Sequence, residues 1–167
     1  AEIIKNLLKA ISHGHSHKIA HRDIKPENIL INQDSTVKLI DFGLSKKLSS
    51  DGLAYTNCGT KLFQAPEVLF GDGERQYTSK VDIWSIGATI YWLLTGFYLF
   101  YSKRTQIFKD NVMYGKYGIP KLLEPSLEIV EILDKWLRFN PDERISHGEL
   151  FKMLEERATT EEVESIK

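Results

Sequence analysis

The sequence predicts a mainly α-helical domain with one small β-hairpin, and three observations carry that reading. Apolar residues recur at three- and four-residue intervals in several stretches, which is the mark of one buried helix face. Only two short, neighbouring runs, Ile29-Leu30-Ile31 and Val37-Lys38-Leu39-Ile40, are dense in β-branched residues, and the segment between them, Asn32-Gln33-Asp34-Ser35-Thr36, has the composition of a turn. Hydrophobic residues make up 42% of the 167, enough for one real core at this length.

The elements follow in order. Ile4, Leu7, Leu8 and Ile11 share one face of a first helix, which should end between Gly14 and Lys18. A short apolar piece, Lys18–Ala20, leads into the polar loop 21–28, and the hairpin comes next. Residues 44–64 show no periodicity and many polar groups, so they read as a long loop, a feature that is usually functional or disordered. Ser79 is placed to cap a helix from Lys80 to about Leu94. Apolar side chains lie nearly all round that helix, so it should be buried. A helix from Ser102 to Tyr114 follows. Another starts at Pro125, a good first-turn residue, and runs through Trp136 to Arg138. The last begins at Ser146, with Glu149 completing a capping box. Residues 155–167 carry five glutamates and few apolar groups, so a frayed acidic tail is expected.

Composition excludes some classes of function. The net charge of −1 supplies no overall basic field for nucleic acid or an anionic membrane, and neither partner is expected. The near-apolar run from Ala88 to Tyr101 is shorter than the ~20 residues a membrane-spanning helix needs. The single cysteine, Cys58, rules out an internal disulfide and fits a reducing compartment, so an intracellular location, cytoplasm or nucleus, is expected. Cys58 itself reads as a plain packed thiol. The opening Ala-Glu-Ile-Ile-Lys has no initiator methionine or signal pattern and reads as the middle of a helix, so the chain is expected to be cut from something longer.

The chemistry concentrates in two motifs. Residues 21–28 are His-Arg-Asp-Ile-Lys-Pro-Glu-Asn, and Asp-Phe-Gly follows at 41–43. Together they supply a carboxylate able to take a hydroxyl proton, a lysine able to meet a phosphate, and two hard oxygen donors suited to magnesium. In this order and at this short separation they strongly resemble the catalytic and metal-binding loops of eukaryotic protein kinases. The 167 residues contain no Gly-rich phosphate loop and no lysine-bearing strand ahead of these motifs. The resemblance therefore implies the C-terminal lobe of a kinase domain spanning 1–167, with its N-terminal lobe as a missing partner, and the hairpin carrying the two loops.

The resemblance assigns roles position by position. Asp23 would accept or orient the substrate hydroxyl, and Lys25 would meet the transferring phosphate. Asn28 and Asp41 would bind Mg2+ on ATP. Lys25 resembles the serine/threonine rather than the tyrosine kinases, and Thr60 agrees, since the family's threonine there bridges toward the catalytic aspartate and lysine. Leu30 matches the apolar floor of the adenine pocket, though read alone it is an ordinary strand-core leucine. Arg22, Lys46 and Thr56 match a regulatory set in which phosphate on the loop threonine is held by cations. Read alone, Thr56 is an exposed threonine. Glu27 matches a glutamate that reads a substrate arginine. Lys61 stands where the family usually has proline, Phe63 keeps its aromatic, and Gln64 replaces a small or apolar residue. These positions line the pocket for the residue following the phosphoacceptor. The overall look is closest to the calmodulin-dependent and checkpoint kinases.

Three further residues are expected to hold the site together. The resemblance implies that Glu67 of Ala-Pro-Glu pairs with Arg144, just before the last helix, in a buried ion pair. Asp82, a carboxylate on an otherwise apolar helix, needs donors such as exposed backbone N–H groups, and the resemblance matches it to the family's helix aspartate that holds the backbone of the His-Arg-Asp loop. His21 and Phe42 read as packing residues that align the two loops. His13 and His17 share a helix face at a spacing that could bind zinc, but no cysteine or carboxylate stands nearby in sequence, so they read as incidental helix-end residues. The function expected is ATP- and magnesium-dependent phosphorylation of protein serine or threonine by the parent, with this segment inactive alone. The competing reading is a non-catalytic kinase-like scaffold that binds peptides.

Overall fold

The computed structural model describes residues 2–34, 36–47, 60–71, 78–115 and 127–146, with 148, 149, 152, 153 and 155 beyond them. Helix α1 (Glu2–Ser16) buries Leu7, Leu8 and Ile11, the face its periodicity marks. It closes where Lys18 turns into the left-handed region at φ 58° and its N–H reaches the His15 carbonyl at 2.9 Å. Strand β1 (Ile19–Ala20) follows, then the loop, a 3₁₀ turn (Pro26–Asn28) and the hairpin. The hairpin is β2 (Ile29–Ile31) against β3 (Val37–Leu39), antiparallel, with Leu30 opposite Lys38. A second 3₁₀ turn (Phe42–Leu44) leads to β4 (Lys46–Lys47), and helices α2 (Pro66–Leu69), α3 (Lys80–Thr95), α4 (Thr105–Met113) and α5 (Leu127–Trp136) complete the described elements.

Helix α3 is the axis of the core. Every residue from Val81 to Tyr91 is buried, as its apolar circumference requires. Leu7 and Leu8 of α1, Ile24 of the loop, Phe63, Val68 of α2 and Leu133 and Trp136 of α5 belong to the same core. Gly87 is where α3 meets the end of α5. A Cβ there would stand 2.9 Å from Leu137 Cδ2 and 3.2 Å from Trp136 Cβ, so glycine is what permits the approach.

The structure departs from expectation in several places. The segment Lys18–Ala20 and residues 46–47 do not lie independently: β1 and β4 pair antiparallel, with Ala20 opposite Lys46. Two residues per strand are too few to leave a period in the sequence. Residues 66–69 form the one-turn helix α2 with Pro66 in its first turn, where proline's missing N–H costs nothing. Ser79 precedes α3 but makes no side-chain cap, and the Thr78 hydroxyl takes the Lys80 N–H at 3.3 Å instead. Leu30 is no strand-core leucine, being 48% exposed. The capping box is present: Glu149 accepts from the Ser146 N–H at 2.9 Å, and the Glu149 N–H reaches the Ser146 hydroxyl at 3.3 Å. Pro125, Thr56, Cys58 and most of the acidic tail lie outside the described residues. Among the described residues, no helix is long and apolar enough to cross a membrane.

Candidate active site

The loop 21–28 hangs from α3 by one side chain. Asp82, fully buried, accepts the His21 N–H at 2.9 Å on Oδ2 and the Arg22 N–H at 2.8 Å on Oδ1. Its Oδ2 also accepts from His15 Nε2 of α1 at 2.8 Å. Two adjacent backbone donors on one carboxylate force a sharp local turn, and Arg22 takes the left-handed conformation at φ 69°. His21 Nδ1 accepts the Asp23 N–H at 3.4 Å, which leaves the ring proton on Nε2, donating to the Ile40 carbonyl at 3.1 Å. Its ring meets Phe42 edge-on at 4.7 Å. His21 thus ties the loop to the end of β3, although Phe42 does so from a half-exposed position.

The loop delivers Asp23, Lys25 and Asn28 to one spot, and the segment before α2 adds Thr60. Lys25 Nζ lies 2.7 Å from Asp23 Oδ2 and donates to Thr60 Oγ1 at 3.0 Å. Thr60 donates to Asp23 Oδ1 twice, from its N–H at 2.8 Å and its hydroxyl at 3.0 Å. Asn28 Nδ2 donates to the Asp23 carbonyl at 2.8 Å and to Oδ2 at 3.1 Å. A carboxylate held by four donor groups is fixed in place and oriented. Burial alone pushes the Asp23 carboxyl up, but the Lys25 ammonium and the Thr60 N–H and hydroxyl outweigh it and hold the group below its ordinary value.

That shift has a pH consequence with a definite sign. A carboxyl whose folded pKa is depressed adds stability above its unfolded pKa and loses it as pH falls through the folded value. Asp23 should therefore remain ionised through the usual carboxylate range, releasing Lys25 and Thr60 only in stronger acid. A carbon-detected NMR titration of Asp23 should give a midpoint below the ordinary 3.8, rising in Lys25→Met. A midpoint at or above that value in the unsubstituted protein would contradict the geometry.

Asp41 follows β3. The Ile40 N–H bonds the Asn28 carbonyl at 3.0 Å, which brings the two loops side by side. Asp41 sits in the left-handed region at φ 61° and its Oδ1 accepts the Gly43 N–H at 3.2 Å. Its side chain is exposed, and among the described residues no hydrogen bond or ion pair joins it to the Asp23 cluster. Arg22 Nε donates to the Leu44 carbonyl at 2.7 Å, spanning from one loop to the other. Lys46 lies in β4, Glu27 is exposed on the first 3₁₀ turn, and Leu30 lies on β2.

Below this cluster, Arg144 and Glu67 pair as the sequence reading expects. The guanidinium is 1% exposed, and each of its five N–H donors is used. Nη1 donates to Glu67 Oε1 and the Lys80 carbonyl, both at 2.8 Å. Nη2 donates to Glu67 Oε2 at 3.1 Å and the Arg138 carbonyl at 3.0 Å, and Nε reaches the same carbonyl at 3.2 Å. The guanidinium also lies 5.2 Å from the Trp84 ring centroid. This locks α2, which follows directly from the Thr60 segment, onto the start of α3.

Two members of the arrangement escape sequence reasoning. His15 reads as one of three helix-end histidines, yet it supports Asp82. The available signal was the buried carboxylate's need for more than two donors. The β1–β4 clip is the other. His13 and His17 do share a face, with ring centroids 4.6 Å apart, and among the described residues no three histidines, cysteines or acids form a metal group.

Comparison with known proteins gives the family. Residues 1–154 match the protein kinase domain family. The chain is 40% identical over 145 residues to the maternal embryonic leucine zipper kinase of Xenopus tropicalis, covering 85% of this chain and 22% of that protein. It is 39% identical over 153 residues to the serine/threonine-protein kinase cds1 of Schizosaccharomyces pombe, covering 88% and 33%. With the CBL-interacting serine/threonine-protein kinase 18 of Arabidopsis thaliana the identity is 36% over 151 residues, covering 89% and 28%. The chain thus spans between about a fifth and a third of the length of these relatives. A catalytic-type loop suspended from a buried helix aspartate, and a family match running almost end to end, place this chain in the protein kinase family, among its serine/threonine members.

Proposed function

We propose that this chain is the C-terminal lobe of a kinase domain whose full-length protein transfers the γ-phosphate of ATP to serine or threonine of a protein substrate. The observation that carries the reading is the Asp23–Lys25–Asn28–Thr60 cluster. Its ionised carboxylate lies within 2.7 Å of an ammonium group. Phosphoryl transfer asks a protein mainly for positioning and charge balance. Asp23 would orient the incoming hydroxyl and hold its proton. Lys25, shared between Asp23 and Thr60, would turn toward the transferring phosphate.

The donor set fits magnesium. Asn28 spends its amide nitrogen on Asp23, so its amide oxygen is the atom to offer a cation, and Asp41 presents an exposed carboxylate. Magnesium commonly takes one or two carboxylates and completes its shell with water and phosphate oxygens, so a larger acidic cage is not needed. When bound, it would neutralise charge on the nucleotide phosphates.

The remaining assignments belong to the same reading. Phosphate on Thr56 would be held by Arg22 and Lys46, drawing Arg22 away from the Leu44 carbonyl. Thr56→Ala should then lower activity of the full-length protein, and equal activity with and without loop phosphate, read by mass spectrometry, would remove the idea. Glu27 would face a substrate arginine and Leu30 the adenine. A single cysteine and a need for ATP point to the cytoplasm or nucleus.

Leu30, Ile31, Ile40, Phe42 and Leu44, on the hairpin and the turn after it, are all more than a third exposed. We read them as surface on which a nucleotide-covering lobe packs. The scaffold reading would give the same residues to another partner. Phosphate transfer by residues 1–167 beside the full-length protein separates them. Full-length protein should turn over, and the 167-residue chain should not, because the groups that cover and hold the nucleotide phosphates are not among its residues. Robust turnover by the short chain, abolished by Asp23→Asn, would overturn the division into lobes.

A further inference from the structure

We propose that His13 and His17 form a surface site for a divalent transition metal of the copper, nickel and zinc class. The bound ion clamps the turn between helix α1 and the loop 21–28. The inference stands on its own geometry and does not depend on the kinase reading.

His13 lies in the last turn of α1, and His17 in the turn that follows it. Residues four apart on a helix share a face. Both side chains are exposed, with ring centroids 4.6 Å apart and planes tilted by 52°. Two imidazole nitrogens, each about 2.1 Å from one ion, bring their ring centres to about 4.5–5 Å of each other. The two rings therefore already stand at the separation that a shared ion requires. Among the described residues no third histidine, cysteine or acid joins them, so water would complete the shell.

Hydrogen bonding decides which nitrogen of His17 is available. The His13 carbonyl accepts from the Ser16 hydroxyl and from His17 Nδ1, both at 2.8 Å. A carbonyl cannot donate, so the neutral His17 ring carries its proton on Nδ1 and keeps a lone pair on Nε2. Ser16 Oγ also lies 3.2 Å from Nδ1, but its proton points to the carbonyl, so it too can only accept there. An Nδ1–H anchored on a backbone carbonyl is the arrangement that fixes the tautomer and orientation of a ligating histidine. The exposed His13 ring supplies the second nitrogen.

The donors select the ion. Imidazole suits copper, nickel and zinc, with copper bound most strongly, whereas magnesium prefers oxygen. The site is therefore chemically distinct from Asn28 and Asp41. A cation also complements the negative end of the α1 dipole.

The position of the pair gives the site its consequence. Between the two ligands the chain leaves the helix: the His17 N–H bonds the Gly14 carbonyl at 3.0 Å, and the Lys18 N–H bonds the His15 carbonyl at 2.9 Å. His15, between them in sequence, holds Asp82 Oδ2 at 2.8 Å. Helix ends fray, and an ion shared by residues 13 and 17 ties this end to the turn beyond it. The turn so held is the one that supports Asp82 and, through it, the His21 and Arg22 N–H groups.

The test uses full-length protein freed of metal by chelation and titrated with copper(II). Electron spin-echo modulation counts the imidazoles on copper, and subtracting the spectrum of the His13→Ala/His17→Ala double variant removes any copper held elsewhere. The difference should show one ion with two imidazoles. Each single alanine variant should weaken that site at least about tenfold, and the double variant should lose little more, because a chelate fails when either arm is gone. Both side chains are exposed, so the variants should keep the fold, read by circular dichroism. A difference spectrum with one imidazole or none, or single variants that bind as tightly as the unsubstituted protein, would overturn the site. Hydrogen exchange with saturating zinc reads the clamp. The His17 and Lys18 amides should exchange several-fold more slowly with zinc, and the double variant should show no such change. Equal exchange with and without zinc in the unsubstituted protein would overturn the clamp.

Discussion

Asp23→Asn in the full-length protein should lower turnover by about 10²–10⁴-fold and leave nucleotide affinity within a few fold. The reason is which atoms Asp23 meets. Oδ1 takes both Thr60 donors, and Oδ2 takes Lys25 and Asn28. An amide here removes the charge that Lys25 balances and turns an NH2 toward one of these donors. The hydroxyl-orienting group is lost, while the groups that would meet the nucleotide remain. Asp41→Asn should do the converse, weakening magnesium-nucleotide binding first. Steady-state kinetics beside nucleotide titration separates the two. Near wild-type turnover in Asp23→Asn would contradict the assignment, and so would equal losses of turnover and nucleotide affinity.

The second large effect concerns stability. Glu67→Ala or Arg144→Ala should each cost about 3–5 kcal/mol, because one strands the buried guanidinium and the other leaves the part-buried carboxylate unpaired. Removing Arg144 also leaves the carbonyls of Lys80 and Arg138 without their donors and opens space under Trp84. Removing Glu67 leaves two of the five guanidinium donors unused. The double variant should cost less than the sum of the singles, since the second change no longer leaves the other member of the pair as an unpaired charge. Denaturant unfolding of all four proteins closes the cycle, and additive losses would mean that the pair carries no coupling.

Residues whose roles follow from a strong local need were legible in the sequence. Asp82 on an apolar helix had to find donors, and it holds the His21 and Arg22 N–H groups. The circumference of α3 announced its burial, and the β-branched runs announced the hairpin. What stayed hidden depends on distant partners. His15 becomes meaningful only when α1 packs beside α3, and a two-residue strand such as β4 exists only because β1 lies next to it. Thr78 displaced Ser79 as the cap because both are good capping types and only backbone geometry chooses between them. Leu30 was misjudged for a related reason: an apolar side chain in a small hairpin can face either the core or a surface that awaits a partner.

The most direct measurement of whether this chain carries phosphoryl-transfer machinery is phosphoamino-acid analysis of a protein substrate after incubation with full-length protein, magnesium and γ-labelled ATP. Label should appear on serine or threonine, not tyrosine, and vanish with Asp23→Asn. A full-length protein that binds its peptides but transfers no label under these conditions would contradict the kinase reading and leave the scaffold in its place.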